Sequence, residues 1–321
     1  MKPFKLAAMF VVLAIAAFAG VKVGMRAEHD SSSVRRLTTA VIRPVRAAPR
    51  ADPAPFAGVY MAGLPDSVAP LETFASRAGT KLRLAMYYSS WHEPFQAAFA
   101  SAASQLHIMP FVRIQPAGVS LTEIADGSQD GYLVSYADAV RRYGHPVVLS
   151  FGSEMNGDWY SWGYRSARPS DFIAAWRHIV SVFRAQQADN VTWLWTVESV
   201  SAGDAAVANP DAWWPGGTYV TWVGMDGYYY RPDETFSTLF GPTLTDLRAL
   251  TGDPILVAAT GATSQAGQVA KIADLFAGVR TDHLLGLVWL DANGSHDWRI
   301  DTPAAFAAFG RAADQVTSGG P

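Results

Sequence analysis

Short apolar runs alternate along the chain with Ala-rich stretches of helical pattern, and this alternation begins near residue 56. Eight of the apolar runs have the length and the Val, Ile, Leu and aromatic content of buried strands, at 58–63, 81–88, 107–114, 146–152, 191–198, 222–229, 254–261 and 284–291. Helical stretches separate several of them, at 131–143, 170–188 and 265–278. Near-continuous apolar strands divided by helices predict a parallel sheet that is covered on both faces.

The number and size of these units predict an α/β fold, the (β/α)8 or TIM barrel, which takes roughly 250 residues. The competing architecture is an open doubly wound sheet, but no G-x-G-x-x-G follows the first strand. We therefore predict a single barrel domain over residues 56–315. Since barrel active sites lie at the C-terminal ends of the strands, the side chains that follow the predicted strands are the functional candidates.

The N-terminal region differs from the barrel. Lys2 and Lys5 precede an unbroken run of 16 apolar residues at 6–21. This length fits the core of a signal peptide but falls short of the roughly 20 residues that span a bilayer. Residues 1–25 are therefore predicted to be a signal peptide or a membrane anchor.

Two alternatives remain for this segment. An A-x-A site at 17–19 allows cleavage after Ala19, whereas an uncleaved segment would tether the protein to a membrane through residues 6–25. Residues 26–55 are basic and rich in Ser, Ala and Pro, which predicts a flexible linker. We expect an exported protein that is secreted, periplasmic or membrane-anchored, with its barrel outside the cytoplasm.

Charge and composition exclude several classes of function. Residues 1–50 carry nine Lys or Arg against two acidic residues, a charge of +7, so the other 271 residues carry −10 of the net −3. A barrel this acidic is poorly suited to nucleic acid. The chain has no Cys, which excludes disulfides, thiolate metal sites and cysteine nucleophiles. The His residues lack metal-ligand spacing and no P-loop occurs, so we predict no metal and no other cofactor.

The densest group of candidate residues is FGSEMNGDWYSWGY at 151–164. Glu154 stands just beyond an apolar strand and is followed by Trp159 and Trp162. Desolvation by indole rings raises the pKa of a carboxyl, which suits a general acid near neutral pH. Broad aromatic faces beside it suit the C–H faces of sugar rings. A structural hydrogen bond at the barrel rim is the alternative role for Glu154.

This stretch resembles the acid/base segment of family 26 of the glycoside hydrolases, whose usual form is H-E-M-N-G-x-W-x-W. The resemblance covers nearly all of 57–301 and includes YVTWVGMDGYYY at 219–230 and GLVWLDANGSHDWRID at 286–301. It implies a β-mannanase-like retaining glycosidase that acts on a β-linked polysaccharide of the mannan or glucan type, with Glu154 as the proton donor. It also implies a sugar site formed by Ser153, Asn156, Trp159, Trp162, Tyr228 and Trp289.

The chain departs from the family at three positions of the reacting centre. The family's nucleophile is a Glu at the end of strand 7, where PILVAATG at 254–261 places Ala259. Ser153 replaces the family's His, and Glu198 replaces the Asn that often ends strand 5. A retaining glycosidase needs two carboxyls about 5–5.5 Å apart, and Ala259 supplies none.

Two alternatives follow from the missing nucleophile. Glu198 is a candidate second carboxylate, and a wider separation from the acid, of roughly 6.5–9.5 Å, would favour inversion. Alternatively, the protein is a pseudoenzyme that binds glycan without cleaving it, in the handling of a cell-surface polysaccharide. A structural ion pair between Glu198 and Arg113, or another arginine of the rim, is the competing explanation for Glu198.

Overall fold

The computed structural model describes residues 55–200 and 206–317. The predicted signal or anchor segment and all but Pro55 of the predicted linker lie outside these described residues. Eight parallel strands close into a barrel in chain order, and the last strand pairs with the first. The predicted (β/α)8 fold is therefore confirmed.

Each strand of the barrel is short, as the apolar runs predict. The strands are β1 (Phe56–Met61), β2 (Leu84–Ser90), β3 (Met109–Gln115), β4 (Val147–Phe151), β5 (Val191–Glu198), β6 (Trp222–Tyr229), β7 (Ile255–Ala262) and β8 (Gly286–Asp291). The helices are α1 (Ala69–Ala78), α2 (Ala97–Gln105), α3 (Leu121–Ala125), α4 (Asp130–Tyr143), α5 (Pro169–Ala185), α6 (Phe236–Leu250), α7 (Gln268–Thr281) and α8 (Pro303–Thr317).

The strands are apolar on both faces because each face contacts a different apolar layer. Side chains that point inward fill the barrel, and they include Leu84, Phe111, Val148, Leu256 and Val288. Their neighbours along the strands point outward and pack under the helices, and they include Ala85, Val112, Leu149, Val257 and Leu287. The barrel is thus a packed core rather than a pore, and ligands have access only at its rim.

The predicted helix at 265–278 begins later than expected. A short 3-10 helix, Ser264–Ala266, comes first, and Gly267 then adopts a left-handed conformation with φ 82°. This glycine interrupts the regular backbone, so α7 starts at Gln268. Within the described part of the chain, none of the helices combines the length and the apolar character that a membrane span requires.

Candidate functional site

The turn after β4 carries the candidate acid. Glu154 lies three residues beyond Phe151 and has a left-handed backbone with φ 59°, and Gly152 before it has φ 52°. This conformation is costly for a residue with a Cβ atom, and such residues are concentrated at functional sites. The Glu154 amide donates to the carbonyl of Thr196 on β5 at 3.0 Å. The barrel wall therefore fixes the position of Glu154.

The Glu154 carboxyl is buried among polar partners. The residue is 7% exposed, and its Oε2 accepts a hydrogen bond from the Trp159 indole N–H at 2.8 Å. Its Oε1 lies 3.9 Å from Nη1 of Arg113, and the carboxyl is in hydrogen-bond contact with that of Asp226. Burial, and after it the charge of Asp226, raises the pKa of Glu154 to about 8. At neutral pH this side chain is an acid with a proton to donate.

Beneath Glu154 lies a buried ion pair that joins two strands across the barrel. Nη2 of Arg113, on β3, donates to both carboxylate oxygens of Asp226, on β6, at 2.7 and 2.6 Å. Asp226 also accepts a hydrogen bond from the backbone N–H of Ala259. The guanidinium that the sequence offered as a partner for Glu198 is thus paired with Asp226 instead.

Asn156 ties the turn to β5. Its side-chain amide donates to the carbonyls of Glu198 and Ala208 at 2.9 and 3.2 Å, and its Oδ1 accepts from the Glu198 N–H at 2.8 Å. The residue is fully buried. Backbone groups therefore occupy both ends of its amide and position the turn, and the contact of Asn156 with sugar stays a prediction.

A small recess opens beside Glu154. Its empty volume is ≈ 200 Å³, open space at the mouth included, and its walls are formed by Tyr88, Arg113, Gln115, Ser153, Glu154, Tyr160 and Trp162. Tyr160 stacks on Trp162 with ring centroids 4.3 Å apart and an interplanar angle of 10°. Trp162 is buried and donates its N–H to the Ser153 carbonyl, so it supports Tyr160 from behind.

The other predicted aromatic residues lie in different surroundings. Trp159 is half-buried and directs its N–H to Glu154, so it contacts the acid directly. Tyr228 is buried against Trp298, with ring centroids 4.9 Å apart. Trp289 is fully buried, packs against Phe309 of α8 and donates its N–H to the Trp298 carbonyl. Trp289 thus faces the helix layer, and its place in the sugar site stays a prediction.

The end of β7 is apolar and closed. Ala259 is fully buried and is paired in register with Asp226, where the ladders that flank β7 are irregular. No acidic residue occurs in β7. Trp298 covers the last residues of β7 so closely that a Cβ on Gly261 would meet its side chain at 3.1 Å. The end of β7 therefore presents packed aromatic and methyl groups where the resemblance implies a nucleophile.

Glu198 ends β5 and is half-buried. Burial raises the pKa of Tyr230, and the charges of Glu198 and Glu154 raise it further. The Tyr230 hydroxyl therefore lies within the electrostatic influence of both carboxyls. Glu198 thus remains a candidate for the second carboxylate.

The sequence reasoning missed two residues of the site, Tyr88 and Tyr160. Asp226 ends an apolar strand, as Glu154 does, so the strand-end rule places it on the rim, although its position in GMDGY favours a structural role. Tyr160 lies between Trp159 and Trp162, and nothing in the sequence distinguishes it from them as a residue that lines the site. Among the described residues, no group of three or more His, Asp or Glu is arranged to hold a metal ion.

Comparison with known proteins connects this site to a family. Residues 129–265 match the sequence model of glycosyl hydrolase family 26, a range that includes Glu154, Glu198, Asp226 and Ala259. Endoglucanase H of Acetivibrio thermocellus is 28% identical over 266 residues, which are 77% of this chain and 29% of that protein. Mannan endo-1,4-beta-mannosidase A and B of Caldalkalibacillus mannanilyticus is 26% identical over 102 residues, 30% of this chain and 19% of that protein. The chain thus spans less than a third of these curated relatives.

Solved structures of the same family share the fold. A GH26 beta-mannanase from Bacteroides ovatus superposes with a TM-score of 0.60 at 13% identity, over 83% of this chain and 90% of that one. An endo-beta-1,4-mannanase from Cellulomonas fimi gives a TM-score of 0.60 at 14% identity, over 80% of this chain and 70% of that one. At these identities the likeness establishes the barrel and nothing finer.

Proposed function

Since the barrel belongs to glycosyl hydrolase family 26, we propose that the protein cleaves O-glycosidic bonds of a β-linked polysaccharide, with Glu154 as the proton donor. The observation that carries this proposal is the buried Glu154 carboxyl at the end of β4. Burial and the nearby Asp226 carboxyl keep it protonated at neutral pH. General acids in glycosidases are carboxyls whose pKa is raised in this way.

The leaving group takes the proton of Glu154. As the glycosidic C–O bond breaks, the carboxyl protonates the departing oxygen, and negative charge then remains on Glu154. The Trp159 N–H at 2.8 Å and the Arg113 guanidinium at 3.9 Å stabilise that charge. Both groups lower the pKa of Glu154, so both favour its ionised form after the transfer.

A covalent intermediate on β7 is not part of this proposal. Ala259 has no nucleophilic group, and Asp226 is fully buried and touches Glu154. A retaining pair needs its carboxyls about 5–5.5 Å apart, with a sugar carbon between them. We therefore propose single displacement by water, with Glu198 as the base and inversion at the anomeric carbon.

The proposed substrate is a β-mannan or a β-glucan. The curated relatives are named as an endoglucanase and a mannan endo-1,4-beta-mannosidase, and a family structure is named as an endo-beta-mannanase/endo-beta-glucanase. In the recess, Tyr160 offers an aromatic ring and Gln115 and Ser153 offer polar groups. This combination suits a sugar, which has apolar C–H faces and polar hydroxyls.

The proposed function is tested with the full chain and a panel of polysaccharides. Reducing ends are followed with soluble β-mannan, β-1,4-glucan and, as the matched control, an α-linked glucan. We expect products from a β-linked substrate and none from the α-glucan. If no β-linked polysaccharide is cleaved by folded protein at any pH between 4 and 8, hydrolysis is ruled out for these substrates.

A second candidate function is glycan binding without cleavage. The observation in its favour is the end of β7, where Ala259 is buried and Trp298 packs over Gly261. Such a protein would retain Tyr160 and the acid as binding groups. Calorimetry with mannan and glucan oligosaccharides separates the two functions, because a pseudoenzyme binds them and releases no reducing ends.

We also propose that the protein is exported. The support is the sequence alone: Lys2 and Lys5 followed by an apolar run at 6–21 and the basic linker. Fractionation of cells that express the full chain tests this proposal. Detection of the barrel domain only in the cytoplasm would contradict the proposal. N-terminal sequencing of the exported protein distinguishes cleavage after Ala19 from an uncleaved anchor.

A further inference from the structure

Three ionisable groups meet at the recess: Arg113 of β3, Glu154 in the turn after β4 and Asp226 of β6. We propose that Asp226, held in place by Arg113, is a positioning residue that keeps a proton on the Glu154 carboxyl and fixes the carboxyl at the recess. This inference rests on the proposed function in one respect, namely that Glu154 is the donor. The resemblance that identified Glu154 assigns no role to Asp226.

Asp226 is too enclosed to contact a sugar. It is fully buried, and its two oxygens accept hydrogen bonds from Arg113 Nη2 at 2.7 and 2.6 Å. The Ala259 N–H and the Glu154 carboxyl are its further partners. With these four interactions the lone pairs of the carboxylate are satisfied. Asp226 therefore acts on a reaction only through the partners that line the recess, Glu154 and Arg113.

The geometry assigns the negative charge to Asp226 and the proton to Glu154. Two carboxyls in hydrogen-bond contact do not both ionise in a buried site, so the pair holds one proton. Arg113 is bonded to both oxygens of Asp226, whereas its nearest approach to Glu154 is 3.9 Å. The guanidinium therefore neutralises Asp226, and the proton stays on Glu154.

The remaining groups around Glu154 do not compete for this proton. The Trp159 N–H is a donor only. Four phenols complete the surroundings, and burial raises the pKa of each so that all are neutral at physiological pH, namely Tyr88, Tyr160, Tyr228 and Tyr230. Asp226 and Arg113 are thus the charged groups that decide the protonation of Glu154.

The two charged neighbours act in opposite directions, and this makes the proposal testable. Removal of the negative charge in Asp226→Asn lets Arg113 pair with an ionised Glu154, so the proton is lost at lower pH. Removal of the positive charge in Arg113→Gln leaves two carboxyls without a cation, so the proton is held to higher pH. A residue that merely filled space would shift neither titration.

The experiment is an infrared titration of the full chain without substrate. The carbonyl stretch of protonated Glu154 is isolated as the difference between wild type and Glu154→Gln from pH 5 to 10. We expect this band to be present at pH 7 in the wild type. Its midpoint should fall by at least about one pH unit in Asp226→Asn and rise in Arg113→Gln. Exposed Glu72 supplies the matched control, since Glu72→Gln should leave the band unchanged.

The proposal is overturned if the wild type shows no protonated carboxyl at pH 7, or if the midpoint in Asp226→Asn equals that of the wild type. Should Asp226→Asn not fold, as judged by tryptophan circular dichroism, the Arg113→Gln midpoint decides in its place. Should neither fold, the wild-type band decides alone. The titration needs no turnover, so its result is independent of whether the protein hydrolyses any polysaccharide.

Discussion

The ends of β4 and β7 lie on the same rim of the barrel and differ in chemistry. After β4 a Glu with left-handed backbone holds a buried carboxyl that is bonded to an indole and stands beside an arginine. At β7 all eight residues are buried and none is acidic. The end of β4 thus holds a buried carboxyl with its supporting groups, while packed side chains occupy the place where the resemblance implies a nucleophile.

The contrast also bears on stability. Left-handed backbone at a residue with a Cβ atom costs about 1–3 kcal/mol, and a buried carboxyl adds a desolvation cost. Ala259 at the end of β7 carries no such cost, since it packs among apolar neighbours. The two ends should therefore respond oppositely to substitution: changes after β4 should affect activity, and changes in β7 should affect folding.

The largest effect is expected from Glu154→Gln. Loss of the proton donor should reduce hydrolysis of the β-linked substrate about 10³-fold, because general acids contribute about 10²–10⁴-fold. The amide preserves size and hydrogen bonding, so the fold should persist. Reducing-end assays measure the change, and Glu72→Gln is the exposed control. Equal activity in wild type and Glu154→Gln would show that Glu154 is not the proton donor, and the end of β4 would then have no catalytic role that β7 lacks.

Ala259→Glu tests whether a carboxylate at the end of β7 can act as a nucleophile. A carboxylate there should increase hydrolysis by at least about tenfold, as expected for a restored nucleophile. It should also lower the free energy of unfolding, because it adds a buried charge next to Asp226. The control is Ala259→Gln, which has the same size and no charge and should give no gain. A gain in both variants would show that the carboxylate is not its cause.

Tyr160→Ala tests the recess beside Glu154 as a sugar-binding site. Loss of the ring that stacks on Trp162 should weaken oligosaccharide binding about tenfold, equal to about 1.4 kcal/mol. Calorimetry in the Glu154→Gln background measures affinity without turnover. Tyr164→Ala, a tyrosine of the same loop that does not line the recess, is the matched control. Equal losses in both would indicate a general disturbance of the loop.

The last expected effect concerns folding rather than binding or activity, and it is seen in the pH dependence of stability. The folded pKa of Glu154 lies above its ordinary value of 4.5, at about 8. The folded state therefore holds the proton more tightly, and its free energy of unfolding falls as the pH rises between these values, by up to about 1.4 kcal/mol per pH unit. Chemical denaturation at pH 5, 6, 7 and 8 should show a shallower fall in Glu154→Gln. Identical slopes would mean that Glu154 titrates normally.

The barrel and the place of Glu154 on its rim could be predicted from sequence because both depend on local order along the chain. Apolar runs alternate with helical stretches, which is enough to predict the barrel. Glu154 follows directly after one of those runs, so its place on the rim follows from the fold. The first residue of a helix is harder to predict where a single glycine, such as Gly267, interrupts the regular backbone.

The remaining features depend on contacts that the sequence order does not contain. Strands that are apolar on both faces give no signal for which side chains point inward, so the packing of Trp289 against Phe309 of α8 could not be predicted. The pairing of Arg113 with Asp226 joins strands three apart across the closed barrel. The pattern of either strand alone does not indicate that the two side chains meet.

The most direct test of the account is the anomeric configuration of the first product. Proton NMR during hydrolysis of a β-1,4-linked mannan or glucan oligosaccharide records the configuration before mutarotation. With no nucleophile at Ala259, we predict the α-anomer, formed by the wild type and not by Glu154→Gln. Initial release of the β-anomer would contradict single displacement. Retention requires two displacements through a nucleophile, and β7 has no acidic residue to act as one.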